Sequence, residues 1–300
     1  MVISNVSVVK KETFVSGLGR MIGAEFLKLR KRQMTWVLLS ILVGIIVLVN
    51  LLLLAISKVK TPGTGLGAGN IAALLGLQSA VPFSFSMMAS FGTVLAIILT
   101  ASSMGGEYNW KTIRPALVSS ESRFKFIVAK LVSLGILILI GMLIAVIAGF
   151  IMGLITTGLG GNAYSFSFLT GSYVWMQFLQ YWRTFYVIMP FALLGFMMAI
   201  VGRSAMPGIA TGIGVVFLEA IITTFMTAAG GWIAKVTAYL LNANMTAITA
   251  LNKLPGRFGG GGGSDTTMPS LTHAFVILGL YSVIFLVFSF YLFRKRDVTG

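Results

Sequence analysis

Seven carboxylates, one histidine and no cysteine are all that 300 residues offer for acid–base, metal or thiol chemistry. The acids Glu12, Glu25, Glu107, Glu121, Glu219, Asp265 and Asp297 are scattered, with no close pair for general acid–base work and no cluster for a divalent ion. The missing cysteines exclude disulfides and thiolate ligands. His273 is the single imidazole, and no nucleophile elbow accompanies it. No Gly-x-x-x-x-Gly-Lys-Ser/Thr occurs, and Lys111-Thr112 follows Trp110 instead of glycine. The chain is therefore not expected to bind and hydrolyse ATP in the P-loop manner, and an enzyme is not expected.

Two acids stand out by position. Glu219 lies about 18 Å along a helix from Pro207, at roughly 1.5 Å per residue, which places it near the middle of an apolar stretch. A membrane-embedded carboxylate faces a bundle interior, an aqueous path or a subunit interface, or is held by hydrogen bonds from neighbours such as Thr223. Glu107 opens a short charged connector, residues 105–126, between two uncharged apolar stretches. If a helix starts at Glu107, then Trp110, Ile113 and Leu117 share one face while Glu107, Lys111 and Arg114 share another. That is an amphipathic helix at a membrane surface, shaped to be gripped by a soluble partner.

The elements that position these residues follow from hydropathy. Apolar residues make up 57% of the chain and charged ones 10%, with a mean hydropathy of +0.96; soluble domains carry about a quarter charged. Six apolar stretches reach the roughly 20 residues that a bilayer core demands: 35–56, 82–104, 127–155, 184–201, 207–228 and 275–293. They run unbroken, without the alternation of a membrane barrel, so an all-α integral membrane protein of six transmembrane helices is expected. Sixteen of the 22 Lys and Arg residues flank one side of these spans, including Lys28, Arg30, Lys31, Arg32, Arg123, Lys125, Arg203, Arg294 and Lys295. Six lie on the other side, so the positive-inside rule puts both termini in the cytoplasm. A pI near 10.3 would also suit nucleic acid, but the charge is topological and favours anionic lipid headgroups, and no nucleic-acid partner is expected. Lys130, at the start of the third span, is expected to snorkel to the surface.

The connectors differ in kind. Residues 1–34 form a cytoplasmic tail, and 17–33 read as a helix with Leu18, Ile22, Phe26 and Leu29 on one stripe and Glu25, Lys28 and Arg32 on another. It is either a lateral elbow helix or a basic flank that fixes orientation. Gly65, Gly67 and Gly69 follow no predicted strand and do not make a phosphate loop. Residues 158–183 carry Tyr164, Phe166, Phe168, Tyr173, Trp175, Phe178, Tyr181 and Trp182, an aromatic belt at headgroup level or a cap over an outer cavity. The extracytoplasmic connector 229–272 begins with a helical-looking piece, Trp232 to Leu251, read as interfacial or re-entrant, and ends in the flexible run Gly259 to Gly263.

Three pieces coincide: Ala24-Glu25-Phe26-Leu27-Lys28-Leu29-Arg30-Lys31-Arg32, the connector from Gly106-Glu107-Tyr108 through Thr112, Arg114 and Ser122-Arg123 to Ala129-Lys130, and the C-terminal Tyr291-Leu292-Phe293-Arg294-Lys295-Arg296. Together they resemble the ABC-2 type permeases of ABC transporters, over the whole chain. The resemblance implies a membrane subunit in a bacterial plasma membrane, with an elbow helix at Glu25, Phe26 and Lys28. It implies a coupling helix whose contact residues are Glu107, Tyr108, Trp110, Lys111, Thr112, Arg114 and Arg123. The implied partners are cytoplasmic ATPase subunits, which would hold ATP and Mg while this chain binds no cofactor, and a second permease, identical or homologous. The expected activity is ATP-driven export of an amphipathic or lipophilic compound. A proton-coupled secondary transporter using Glu219, or a non-transporting structural or sensory subunit, remain the alternatives. The long glycine-rich connector before span six departs from the family outline.

Overall fold

A computed structural model describes residues 14–58, 74–110, 123–160, 164–251 and 269–295. Among these residues the chain is helical and has no strand. The long helices are α1 (Phe14–Lys31), α2 (Gln33–Lys58), α3 (Leu77–Asn109), α4 (Arg123–Leu159), α5 (Gly171–Gly202), α6 (Ala205–Ala229) and α9 (Leu271–Lys295). Two short ones, α7 (Gly231–Val236) and α8 (Leu241–Thr249), lie between α6 and α9. Among the described residues six helices, α2 to α6 and α9, are long and apolar enough to cross a bilayer, so this is a multi-pass membrane protein.

Every span outruns its apolar core, because hydropathy sees greasy residues and not the polar turns that continue the same helix. α4 is the longest, with 37 residues, or about 55 Å against a hydrocarbon core of about 30 Å. α5 departs furthest from expectation. It starts at Gly171, so Tyr173, Trp175, Phe178, Tyr181 and Trp182 sit on helical turns and not in a loop. Thr170 accepts a hydrogen bond from the Tyr173 N–H at 3.3 Å and caps this end. Trp175, Phe178, Trp182 and Phe185 then follow one face at helical spacing, with ring centroids 5.6, 6.3 and 6.1 Å apart.

α3 begins at Leu77, ahead of the expected start at Pro82. Proline removes the N–H that would bond the carbonyl four residues back and tends to break a helix. Here that carbonyl, Gln78 O, accepts from Tyr173 Oη at 2.9 Å, so the helix runs through. Further along, residues Met88–Gly92 form a π-turn, one residue wider than the α-helix on either side.

The centre of the bundle is α3, α5 and α6, which pack on one another most extensively. They meet backbone to backbone: a Cβ at Gly208 would lie 2.5 Å from Gly195 O and 2.8 Å from Ala101 Cβ, so only glycine fits that crossing. α1 and α2 pack on α4, and α9 packs on α5. The α1 end, the α2 start, the α3 end, the α4 start, the α5–α6 turn at Arg203 and the α9 end share one end of the bundle, called the basic end below for its arginines and lysines.

The helical piece after α6 folds back on the bundle. Gly230 and Gly231, with φ of 68° and 61°, reverse the chain in the left-handed region that favours glycine. A 3₁₀ turn, Thr237–Tyr239, leads into α8, which packs against α9, α5 and α6. The helical piece expected from Trp232 to Leu251 is thus two short helices joined by a 3₁₀ turn and folded back on α6, α5 and α9. The Gly259 to Gly263 run lies outside the described residues.

Candidate functional site at the basic end

Glu107 does not start a helix. It occupies the last turn of α3, is 1% exposed and faces inward. The helix accommodates Gly105-Gly106 because both positions are filled by other parts of the chain. A Cβ on Gly105 would meet the backbone of the α5–α6 turn, 2.1 Å from Ala205 N and 2.5 Å from Ser204 C. A Cβ on Gly106 would run into the Arg32 guanidinium. That guanidinium also lies 4.7 Å from the centre of the Trp110 ring, a cation–π contact that closes the α3 terminus.

Lys130, on the second turn of α4, is also 1% exposed. It does not snorkel, because its ammonium group has two carboxylates within reach: Glu107 Oε1 at 3.1 Å and Glu25 Oε2 at 3.0 Å. Lys28 Nζ donates to Glu107 Oε1 and lies 4.0 Å from Glu25 Oε1. Glu25 and Lys28 are three residues apart on α1, so they present neighbouring charges to one point. α1 runs antiparallel to the first turns of α4, with Ile22 O accepting from Ser133 Oγ at 3.1 Å, Glu25 beside Lys130, and Leu29 packed in a cluster with Phe126 and Ile127. Among the described residues two carboxylates and two ammonium groups thus tie α1, α3 and α4 into one knot.

This arrangement corrects the scattered picture of the acids: Glu25 and Glu107 converge on Lys130 and Lys28. Each carboxylate has an ammonium group as partner, and the pairs cross between helices. Removing one member of a buried ion pair costs about 3–5 kcal/mol, so movement of α1, α3 or α4 alone is strongly opposed.

The remaining expected contact residues divide. Tyr108 is half-buried against the cluster of Leu29, Phe126, Phe196 and Phe293. Trp110 is exposed beneath Arg32. Phe26 is half-buried on α1. Arg123 donates from Nη1 to Arg294 O at 3.2 Å. Lys111, Thr112 and Arg114, with Ile113 and Leu117 of the expected apolar stripe, lie outside the described residues. Lys130, Arg32 and Gly105 were not expected as site residues. The available signal was a lysine buried in an apolar span soon after an acid that ends the preceding one.

Glu219 belongs to a second arrangement. Its Oε1 and Oε2 accept from the backbone N–H groups of Leu241 at 3.2 Å and Asn242 at 2.7 Å, capping the start of α8. Thr223 Oγ1 donates to the backbone carbonyl of Glu219, not to its carboxylate. The turn just before α8 is pinned three ways: Asn244 Nδ2 donates to Ala238 O and Leu240 O, Tyr281 Oη donates to Tyr239 O at 3.2 Å, and His273 Nε2 lies 3.0 Å from Ala238 O. His273 is therefore a structural tie. Glu219→Leu would strand two backbone donors inside the membrane. A loss of about 1–3 kcal/mol is expected, seen as faster protease cleavage between residues 236 and 251, while Glu219→Gln keeps one acceptor oxygen and lies between. Equal cleavage of Glu219→Leu and the parent would remove this capping role.

The π-turn residues Met88 and Gly92 line a cleft of about 90 Å³ between α2, α3 and α4, with Leu38, Leu42, Leu95 and Ile138. Its walls are almost wholly aliphatic.

Residues 72–299 match the profile of a family described as "Protein of unknown function (DUF2705)". That stretch takes in α3 to α9, with Glu107, Lys130 and Glu219, and leaves α1 and α2 outside. A protein of Bacillus subtilis (strain 168) described as "Uncharacterized protein YhcI" is 26% identical over 215 residues, covering 69% of this chain and 64% of that protein. The chain thus matches less than two thirds of that relative's length.

Proposed function

We propose, for a chain that belongs to the DUF2705 family of proteins of unknown function, that it is the permease subunit of an ATP-driven exporter of ABC-2 type. In this reading the basic end is cytoplasmic, as the asymmetry of Lys and Arg favours. The connector 105–126 receives a separate ATPase subunit that holds ATP and Mg, and the pump needs a second permease, identical or homologous. The observation that carries the reading is the knot of Glu25, Lys28, Glu107 and Lys130. It fixes both ends of that connector, the close of α3 and the start of α4, to α1. A push on the connector is then delivered to three helices together instead of being lost in a loose loop. The aliphatic walls of the cleft at the π-turn favour an apolar group of the cargo over a charged one.

The decisive experiment is purification of the tagged chain from its native membrane, with a search for a co-purifying cytoplasmic ATPase. A stoichiometric P-loop ATPase, stimulated by lipophilic compounds and lost on Arg114→Glu, is the expected result. A chain that transports without any ATPase, driven by a proton gradient, would overturn the proposal.

A further inference from the structure

A groove of about 490 Å³ opens at the basic end between α4 and α9, with Arg123 and Arg294 at its mouth and Phe124, Ile127, Phe290 and Phe293 along its walls. The Arg123 hydrogen bond to Arg294 O holds the mouth, and the stacked rings of Phe124 and Phe290, with centroids 5.0 Å apart, span the two helices. Among the described residues no carboxylate lines the groove. Ile127 and Phe293 mark the ends of the apolar stretches of their spans, so the two guanidinium groups sit where hydrocarbon gives way to headgroups.

One helical turn deeper the groove gives way to an apolar crevice. Leu131, four residues on from Ile127, and Leu286, four residues before Phe290, line a space of about 350 Å³ with Gly135, Phe185 and Met189. Gly135 leaves it open: a Cβ there would lie 3.6 Å from Met189 Cε and 3.8 Å from Phe185, in ordinary contact, and any longer side chain would fill the gap. α4 and α5 touch only sparsely, which leaves the crevice between them, with Thr100 of α3 and Ala192 and Leu193 of α5 also lining it. A cationic mouth at the membrane boundary and an aliphatic slot continuing into the membrane describe a ligand with an anionic head and a hydrocarbon tail.

We propose that the α4–α9 groove is a binding site for an anionic phospholipid, with its phosphate between Arg123 and Arg294 and an acyl chain in the crevice at Gly135. Basic pockets between membrane helices take such headgroups, and the two guanidinium groups offer forked donors that suit phosphate oxygens. The site requires only that the chain spans a membrane, so it stands or falls independently of the transport proposal.

Native mass spectrometry of the detergent-purified chain tests it, with phosphatidylglycerol and phosphatidylcholine of equal chain length as probes. Phosphatidylglycerol should be retained preferentially. Near a surface each arginine contributes roughly a fivefold effect, so Arg294→Gln should weaken retention about fivefold and the Arg123→Gln/Arg294→Gln pair about thirtyfold. Arg294→Gln leaves in place the carbonyl that Arg123 holds, so it reads headgroup charge without opening the mouth. Gly135→Leu, with both arginines intact, should also release the lipid, and glycerol phosphate without a tail should not compete. Equal retention of the two lipids, undiminished retention in the double variant, or displacement by glycerol phosphate would overturn the proposal.

Discussion

Glu107→Ala is expected to lower the melting temperature of the detergent-purified chain by on the order of 10 °C. The substitution leaves Lys130, 1% exposed, with Glu25 as its carboxylate among the described residues, and deprives Lys28 of its nearest acceptor. Breaking one side of a buried ion pair costs about 3–5 kcal/mol, and in a large domain each kcal/mol is worth roughly 2–4 °C. The more discriminating result is the double variant. Glu107→Met/Lys130→Met removes both buried charges and fills the same space with apolar chains, a change that is often neutral in other proteins. Lys28, 38% exposed, can turn to water, and it stays close enough to balance Glu25. The double variant should therefore melt close to the parent while the single one does not. If the two melt alike, the charges are independent of one another. In a transport assay the double variant should fail where the parent succeeds, because the ion pairs of Lys130 with Glu25 and Glu107 no longer join α1, α3 and α4.

Gly105→Ala is the second large effect, and its cause is steric. The added methyl would lie 2.1 Å from Ala205 N and 2.3 Å from Ala205 Cα, against backbone that no rotamer change can move. The end of α3 must part from the α5–α6 turn, and overpacking of this kind costs about 1–3 kcal/mol. Gly44→Ala is the paired control: nothing lies within 4 Å of its Cβ, so α2 gains helix propensity of up to about 1 kcal/mol. Thermal melting of the two variants should move in opposite directions. A stable Gly105→Ala protein would mean that α3 and the α5–α6 turn do not touch in the membrane.

How far the sequence reveals this molecule depends on the range over which each feature acts. The six spans are legible because about 20 apolar residues in a row suffice to announce one. Their ends are not, because Leu77 to Val81 and Gly171 to Arg183 are helical for reasons that lie elsewhere in the chain. The clearest case is Pro82, which reads as a helix start until Tyr173 is seen holding the carbonyl that proline frees. Glu107 reads as the first residue of a surface helix because its neighbours in sequence are charged. Its partners in space are Lys130, 23 positions away, and Lys28, 79 positions away. A pattern of three- and four-residue steps cannot report where α1 lies against α4. Glu219 is an intermediate case: its depth follows from counting along α6, whereas the backbone donors it caps follow only from the reversal at Gly230 and Gly231.

The π-turn at Met88–Gly92 has a consequence for Glu107 that contacts do not express. One extra residue in a helix turns everything beyond it by about 100° relative to an unbroken α-helix. Glu107 follows Gly92 by roughly four turns, and no other irregular turn intervenes in α3. The azimuth at which its carboxylate leaves the helix is therefore set in the middle of the membrane. Were the wide turn drawn in to α geometry with the first half of α3 held still, Glu107 would rotate like the tip of a key, away from Lys130 and Lys28. Met88 and Gly92, which set that angle, are also walls of the aliphatic cleft.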